Sequence, residues 1–132
     1  MITRYYEIDS TDISSGVKIS KVVIDGSPRP TEELLINGTV MQVPMSLLPP
    51  KQSLHFNIIF SYVLNKGSHI RGGEVAGGAW FLAYFFPRIS VYDVIDGWDM
   101  NPYICGLTEF YNDFCNFKVG VTVPNKFILW KN

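Results

Sequence analysis

The chain has 132 residues, 11 Lys or Arg against 12 Asp or Glu, and a net charge of −1, which fits one domain of ordinary size. Its scattered basic residues and pI near 6.1 exclude the basic stripe that nucleic-acid binding needs. No apolar run reaches the roughly 18 residues of a membrane-spanning helix. Only 17% of the residues are charged while 47% are hydrophobic, against about 25% charged in an average domain. Either a well-filled β core or an apolar surface meant for a partner accounts for that excess.

Residues 1–15 are polar and turn-rich and read as a loose lead-in. They hold no apolar signal core, and the start reads as the middle of a domain. Residues 17–24 (VKISKVVI) are β-branched and bounded by Gly16 and Asp25-Gly26, which predicts a strand. Pro28 and Pro30 break regular structure after it. Residues 34–43 contain Asn37-Gly38, a strong hairpin signal, with ELLI and TVMQV as the two arms.

Residues 53–64 give the clearest strand. Leu54, Phe56, Ile58, Phe60, Tyr62 and Leu64 share one face; His55, Asn57, Ile59, Ser61 and Val63 share the other. Five glycines fall within residues 67–78 and predict a flexible loop. Residues 79–86 are continuously apolar and aromatic, so the run is buried on both faces or meets another domain. Beyond Pro87 the chain resumes extended over 89–92, then loops over 93–106. Residues 107–114 and 116–124 predict two more strands, the second with Phe117, Val119, Val121 and Val123 in alternation. Residues 127–130 begin another strand, and a sequence that stops there reads as a fragment of a longer polypeptide.

Amphipathic helices of useful length are missing from this pattern. Short strands separated by turns predict a single all-β domain over 1–132, mostly antiparallel, as a β-sandwich or a saddle-like extended sheet.

Candidate chemistry is sparse. His55 and His69 lack the spacing of a helical zinc motif, and satisfied edge histidines are the simpler reading. Asp93, Asp96 and Asp99 could offer oxygens to calcium, although their spacing departs from an EF-hand loop; an acidic loop capped by backbone N–H groups is the alternative. Glu109 and Asp113 would lie about 13 Å apart along a strand, too far for a carboxylate pair. Gly72-Gly73 and Gly77-Gly78 precede no Lys-Ser/Thr and no helix, so they do not cradle phosphate. Arg88 stands among five acids and predicts an ion pair to Asp93 or Glu109, or a hold on a ligand carboxylate. Cys105 and Cys115 allow a disulfide in an oxidising compartment or two half-buried thiols. No nucleophile with its base appears.

Four blocks occur in order: Phe86-Pro87-Arg88-Ile89-Ser90-Val91-Tyr92-Asp93, then Asp96-Gly97-Trp98, then Glu109-Phe110-Tyr111-Asn112-Asp113-Phe114, then Val121-Thr122-Val123-Pro124. Together they resemble the N-terminal β domain of zinc metallopeptidases of the aminopeptidase N family, its bacterial branch above all. Residues 17–64 fit the same domain more loosely. The resemblance implies a saddle-like β domain that packs in cis on a thermolysin-like catalytic domain and helps form the peptide-binding cleft.

The family's G-x-M-E-N and H-E-x-x-H signatures are not in this sequence. The resemblance therefore implies that this chain alone is not an enzyme and holds no cofactor, with zinc expected in the absent catalytic domain. It makes Tyr84, Arg88, Asp93 and Glu109 candidates for the cleft and Trp80, Phe85, Phe86 and Trp98 candidates for the domain interface. Where the family often places a Gln or Glu for the substrate's amino group, the nearest residue here is Tyr84, which supplies a phenol and no carboxylate. Cys115 replaces a common Gly, and Cys105 is extra. Nothing in the sequence fixes the compartment; the resemblance is compatible with a parent enzyme exported to the cell envelope or periplasm.

A second reading is a stand-alone β-sandwich module that binds a glycan or a protein. Trp80, Trp98 and Tyr103 would stack on sugar rings and the 93–99 loop would hold calcium.

Overall fold

The computed structural model describes residues 14–66, 72–103 and 111–130. These form nine short strands and two single 3-10 turns. Every strand pair is antiparallel, in one three-stranded sheet and three two-stranded ones. The all-β, antiparallel expectation holds. No described helix is long and apolar enough to cross a membrane.

Strand β1 (Lys18–Ile24) is the centre of the largest sheet, flanked by β2 (Ser27–Arg29) and β5 (Phe56–Ser61). Asp25 and Gly26 join β1 to β2, with φ of 46° and 80°. Two consecutive left-handed residues make the primed turn that matches the twist of a hairpin. Asp25 also ties the turn to the next strand: its Oδ1 accepts the His55 backbone N–H at 2.8 Å, and its own N–H donates to the His55 carbonyl at 2.9 Å. His55 is thus an edge residue beside Asp25, with Nδ1 3.8 Å from that carboxylate. Between β1 and β5 the register slips at Ser20, whose hydroxyl donates to the Ile59 carbonyl at 3.1 Å. The bulge keeps the ladder antiparallel while bending it.

Alternation places Val22 and Ile24 on the inner face of β1. With Leu34 they form the buried core, and Ile19, Met41, Val43, Leu54 and Ile58 pack around them. Leu34 arrives there through the 3-10 turn Thr31–Glu33. That turn is closed by the N–H groups of Glu33 and Leu34 on the carbonyls of Pro30 and Thr31. The even face of β5 is turned inward except at Phe56, which opens the strand and is exposed. Leu54, Ile58, Phe60, Tyr62 and Leu64 are half-buried, while residues 55, 57, 59, 61 and 63 are exposed.

Strands β3 (Leu35–Asn37) and β4 (Val40–Gln42) form the expected hairpin. Its loop is Gly38-Thr39 rather than Asn37-Gly38. Gly38 alone takes positive φ, at 56°, and a glycine first in a two-residue loop is the signature of the type II′ turn. The tip meets the 100–103 segment. A Cβ on Gly38 would come 3.1 Å from Pro102 Cβ, and the Tyr103 N–H donates to Thr39 Oγ1 at 2.7 Å.

Several expectations need correction. Pro28 does not break regular structure after β1: it sits inside β2 and pairs with Val23. Residues 72–78 are not a flexible loop: β6 (Gly72–Val75) pairs with β7 (Ala79–Leu82). The 3-10 turn Ala76–Gly78 closes that hairpin with Gly77 and Gly78 at φ of 82° and 77°. Its glycines serve the turn and leave the ladder intact. The aromatic run is also not buried on both faces within this chain, since all of β7 is exposed. Residues 111–114, 116–124 and 127–130 make no ladder among the described residues and are exposed throughout; the last of these segments opens after a turn donated from Phe127 N–H to the Pro124 carbonyl. Finally, Cys115 is an exposed free thiol rather than a half-buried one. Cys105, His69, Glu109 and the lead-in residues 1–13 lie outside the described residues.

The last strands are β8 (Tyr92–Asp93) and β9 (Gly97–Trp98), a two-rung hairpin inside the expected 93–106 loop.

Candidate functional site

After Leu82 the chain leaves β7 and bends at Tyr84, whose φ of 52° is left-handed. That conformation costs a bulky L-residue about 1–2 kcal/mol. The Arg88 guanidinium lies over the Tyr84 ring at 4.9 Å, a contact of about 0.5–1 kcal/mol at a partly open site. Arg88 Nη1 also donates to Asn112 Oδ1, so the residue bridges the 84–88 bend and the 111–114 segment. Of the two acids expected to pair with Arg88, Asp93 lines the same recess and Glu109 is outside the described residues.

Phe85 and Phe86 meet edge to face at 5.0 Å, and Phe86 meets Phe117 at 5.3 Å. This aromatic chain links the bend to the unladdered 117–123 segment. Across the β8–β9 hairpin, Tyr92 and Trp98 face each other at 5.2 Å.

The turn between β8 and β9 is organised by Asp93. Its Oδ1 accepts the backbone N–H groups of Ile95 and Asp96, each at 2.8 Å, and Gly97 supplies the positive φ of 76° that returns the chain. The Asp96 N–H first, then that of Ile95, holds the Asp93 carboxyl below the usual carboxylate range, because a carboxylate accepts those bonds better than a carboxylic acid does. Asp99 is engaged similarly, its Oδ1 accepting the Asn101 N–H at 3.2 Å and the Asn101 side-chain amide at 3.0 Å. One carboxylate oxygen each of Asp93 and Asp99 therefore caps its own turn. Among the described residues no group of three or more His, Cys, Asp or Glu side chains is placed to hold a metal ion.

These elements enclose an open recess of about 1390 Å³. Tyr84, Phe85, Phe86, Arg88, Asp93 and Trp98, read from the sequence as cleft or interface candidates, all line it, and so do Asp96 and Asp99. Trp80 lies apart, on the β6–β7 hairpin. The lining also includes Met41 from β4 and Phe60, Tyr62 and Leu64 from β5 and its continuation. Sequence reading missed these residues as lining, although the β5 alternation marked its even residues as inward. Burial raises the Tyr62 phenol above its ordinary pKa, so at neutral pH Tyr62 is a neutral donor or acceptor. No His, Cys or Lys lines the recess among the described residues.

The recess thus brings aromatic side chains together with three carboxylates and one guanidinium. Such a lining favours a cationic group. The volume exceeds the roughly 300–1,000 Å³ of small-ligand pockets, which suits the side of a macromolecular cleft better than an enclosed site. Comparison of the chain with family models, with curated proteins and with solved structures found no match.

Proposed function

We propose that this chain is a non-catalytic β module that packs on the catalytic domain of a zinc metallopeptidase of the aminopeptidase N type and forms part of its peptide-binding cleft. The observation that carries the reading is the convergence in one recess of Tyr84, Arg88, Asp93 and Trp98, which belong to or adjoin the sequence blocks that resemble that family. In this reading the zinc and the reacting groups belong to the catalytic domain. The recess excludes water from one side and orients the peptide, and its acidic lining suits an α-amino group. Trp80, Phe81 and Leu82, all exposed, supply apolar contact area beside it.

The test is to isolate the native protein from its source cells with an antibody against this chain. Its size, zinc content and hydrolysis of peptides with free and with blocked N-termini are then measured. A species several times 15.0 kDa that holds zinc and needs a free N-terminus supports the proposal. A species without zinc or peptidase activity sinks it.

Trp98 is 54% exposed, and this favours one other reading, a glycan-binding module in which Trp98 stacks on a sugar ring. Binding to a glycan panel that disappears in Trp98→Ala would select it.

A further inference from the structure

We propose that Arg88 is a clasp: it holds the 111–117 segment as a strap beside the recess, and strap and Tyr84 bend are released together when the clasp opens. Residues 111–117 make no ladder among the described residues and are exposed, so no described ladder fixes their place. They are tied to the 84–88 bend at two points. Arg88 Nη1 donates to Asn112 Oδ1, and the Phe117 ring meets Phe86 edge to face at 5.3 Å. Phe85 braces Phe86 from within the bend at 5.0 Å.

The bend is the other half of the device. Tyr84 holds a φ of 52°, which a bulky L-residue keeps only while its surroundings hold it there. Its ring lies against the Arg88 guanidinium at 4.9 Å. Stacking uses the face of a guanidinium and hydrogen bonding uses its edge, so one Arg serves ring and amide at once; the compact ammonium of a Lys lacks that division. Withdrawing the guanidinium removes a contact that opposes relaxation of the bend and, in the same step, the polar anchor of the strap. Tyr84 and Arg88 from the bend and Tyr111 and Asn112 from the strap all line the recess. Release therefore moves two parts of its lining together, and the clasp sets how open the recess is.

This goes beyond the function proposed above and does not rest on it. The experiment puts a nitroxide on Cys115, the exposed free thiol between the two anchors, in a Cys105→Ser background of the full chain. The Tyr84 HN–Hα coupling, which reports φ, is read in the same proteins. The label should tumble slowly in the parent. Losing a hydrogen bond to a charged group shifts such an equilibrium by about tenfold or more, so in Arg88→Ala the label should be mostly fast and Tyr84 should leave its left-handed φ. Arg88→Lys should fall between. Asn112→Asp offers the same guanidinium a carboxylate and should slow the label further. Asn112→Leu should free the strap, and adding Arg88→Ala to it should change the label little. Amide exchange in β1, β2 and β5 should stay unchanged throughout, since neither Arg88 nor Asn112 belongs to the core. A label already fast in the parent, or still slow in Arg88→Ala, overturns the proposal. A fast label with the Tyr84 coupling unchanged overturns the joint release. Loss of protection in the β2-β1-β5 sheet would make Arg88 a residue of the fold at large and overturns it too.

Discussion

Val22 is fully buried, opposite Arg29 on one side and Ile58 on the other. Val22→Ala removes two methyl groups from a core in which Ile24 and Leu34 are the other buried members and Ile19, Met41, Val43, Leu54 and Ile58 pack around them. Transfer at ~0.8 kcal/mol per group gives about 1.6 kcal/mol, and a small cavity term brings the loss to about 2 kcal/mol. Because every 1.4 kcal/mol is tenfold, amides of the β2-β1-β5 sheet should exchange about 25-fold faster in the variant. Leu35→Ala is the control, since Leu35 is 62% exposed and adjoins the core residue Leu34. It should change those rates less than about twofold, as surface substitutions stay within ~0.5 kcal/mol. Equal effects of the two variants, or none from Val22→Ala, would refute the assignment of the core to β1.

Gly26→Ala tests the turns. Nothing lies within 4 Å of the added Cβ, so only the left-handed backbone opposes it, at about 1–2 kcal/mol, read as faster exchange in β1 and β2. Gly38→Ala adds a contact with Pro102 at 3.1 Å to the same backbone cost and should also loosen the 100–103 segment, visible in the Tyr103 amide shift. The Asp93 carboxyl is held below its ordinary range, so its turn-stabilising contribution is fully present above about pH 4, the unfolded value. It is lost as pH falls through the lower folded value. Trp98 fluorescence, reporting on the β8–β9 pair, should therefore change below that pH in the native protein and lose this step in Asp93→Asn. Phe81→Lys puts a charge on the exposed β7 face and should reduce recovery of the partner in the antibody isolation, while β1, β2 and β5 keep their exchange rates.

The sequence made some of this architecture legible because the deciding interactions are local. Asp25-Gly26 and Gly38 answer to backbone sterics within two residues, and the alternation of 54–64 survives whatever packs against it. Strand β6 was hidden because Gly72 and Gly73 have low strand propensity; its pairing is enforced by the turn and by β7. The opposite error arose at 116–124, where a clear period of two marks an amphipathic strand but cannot supply the edge it pairs with. The aromatic and acidic blocks flagged part of the recess lining. Another part, Met41 with Phe60 and Tyr62, depends on how β4 and β5 meet, which no local pattern encodes. Tyr84 was singled out for its place in a family pattern; its left-handed backbone has no signal in the sequence.

The uncovered side of β7 has a consequence for the chain during its synthesis. Among the described residues Ala79, Trp80, Phe81 and Leu82 pair on one side only, with β6, and they carry neither the charge nor the proline that keeps natural edge strands from recruiting strangers. A second copy presenting the same strand could extend the sheet there, and a chaperone that holds the strand during synthesis would prevent it.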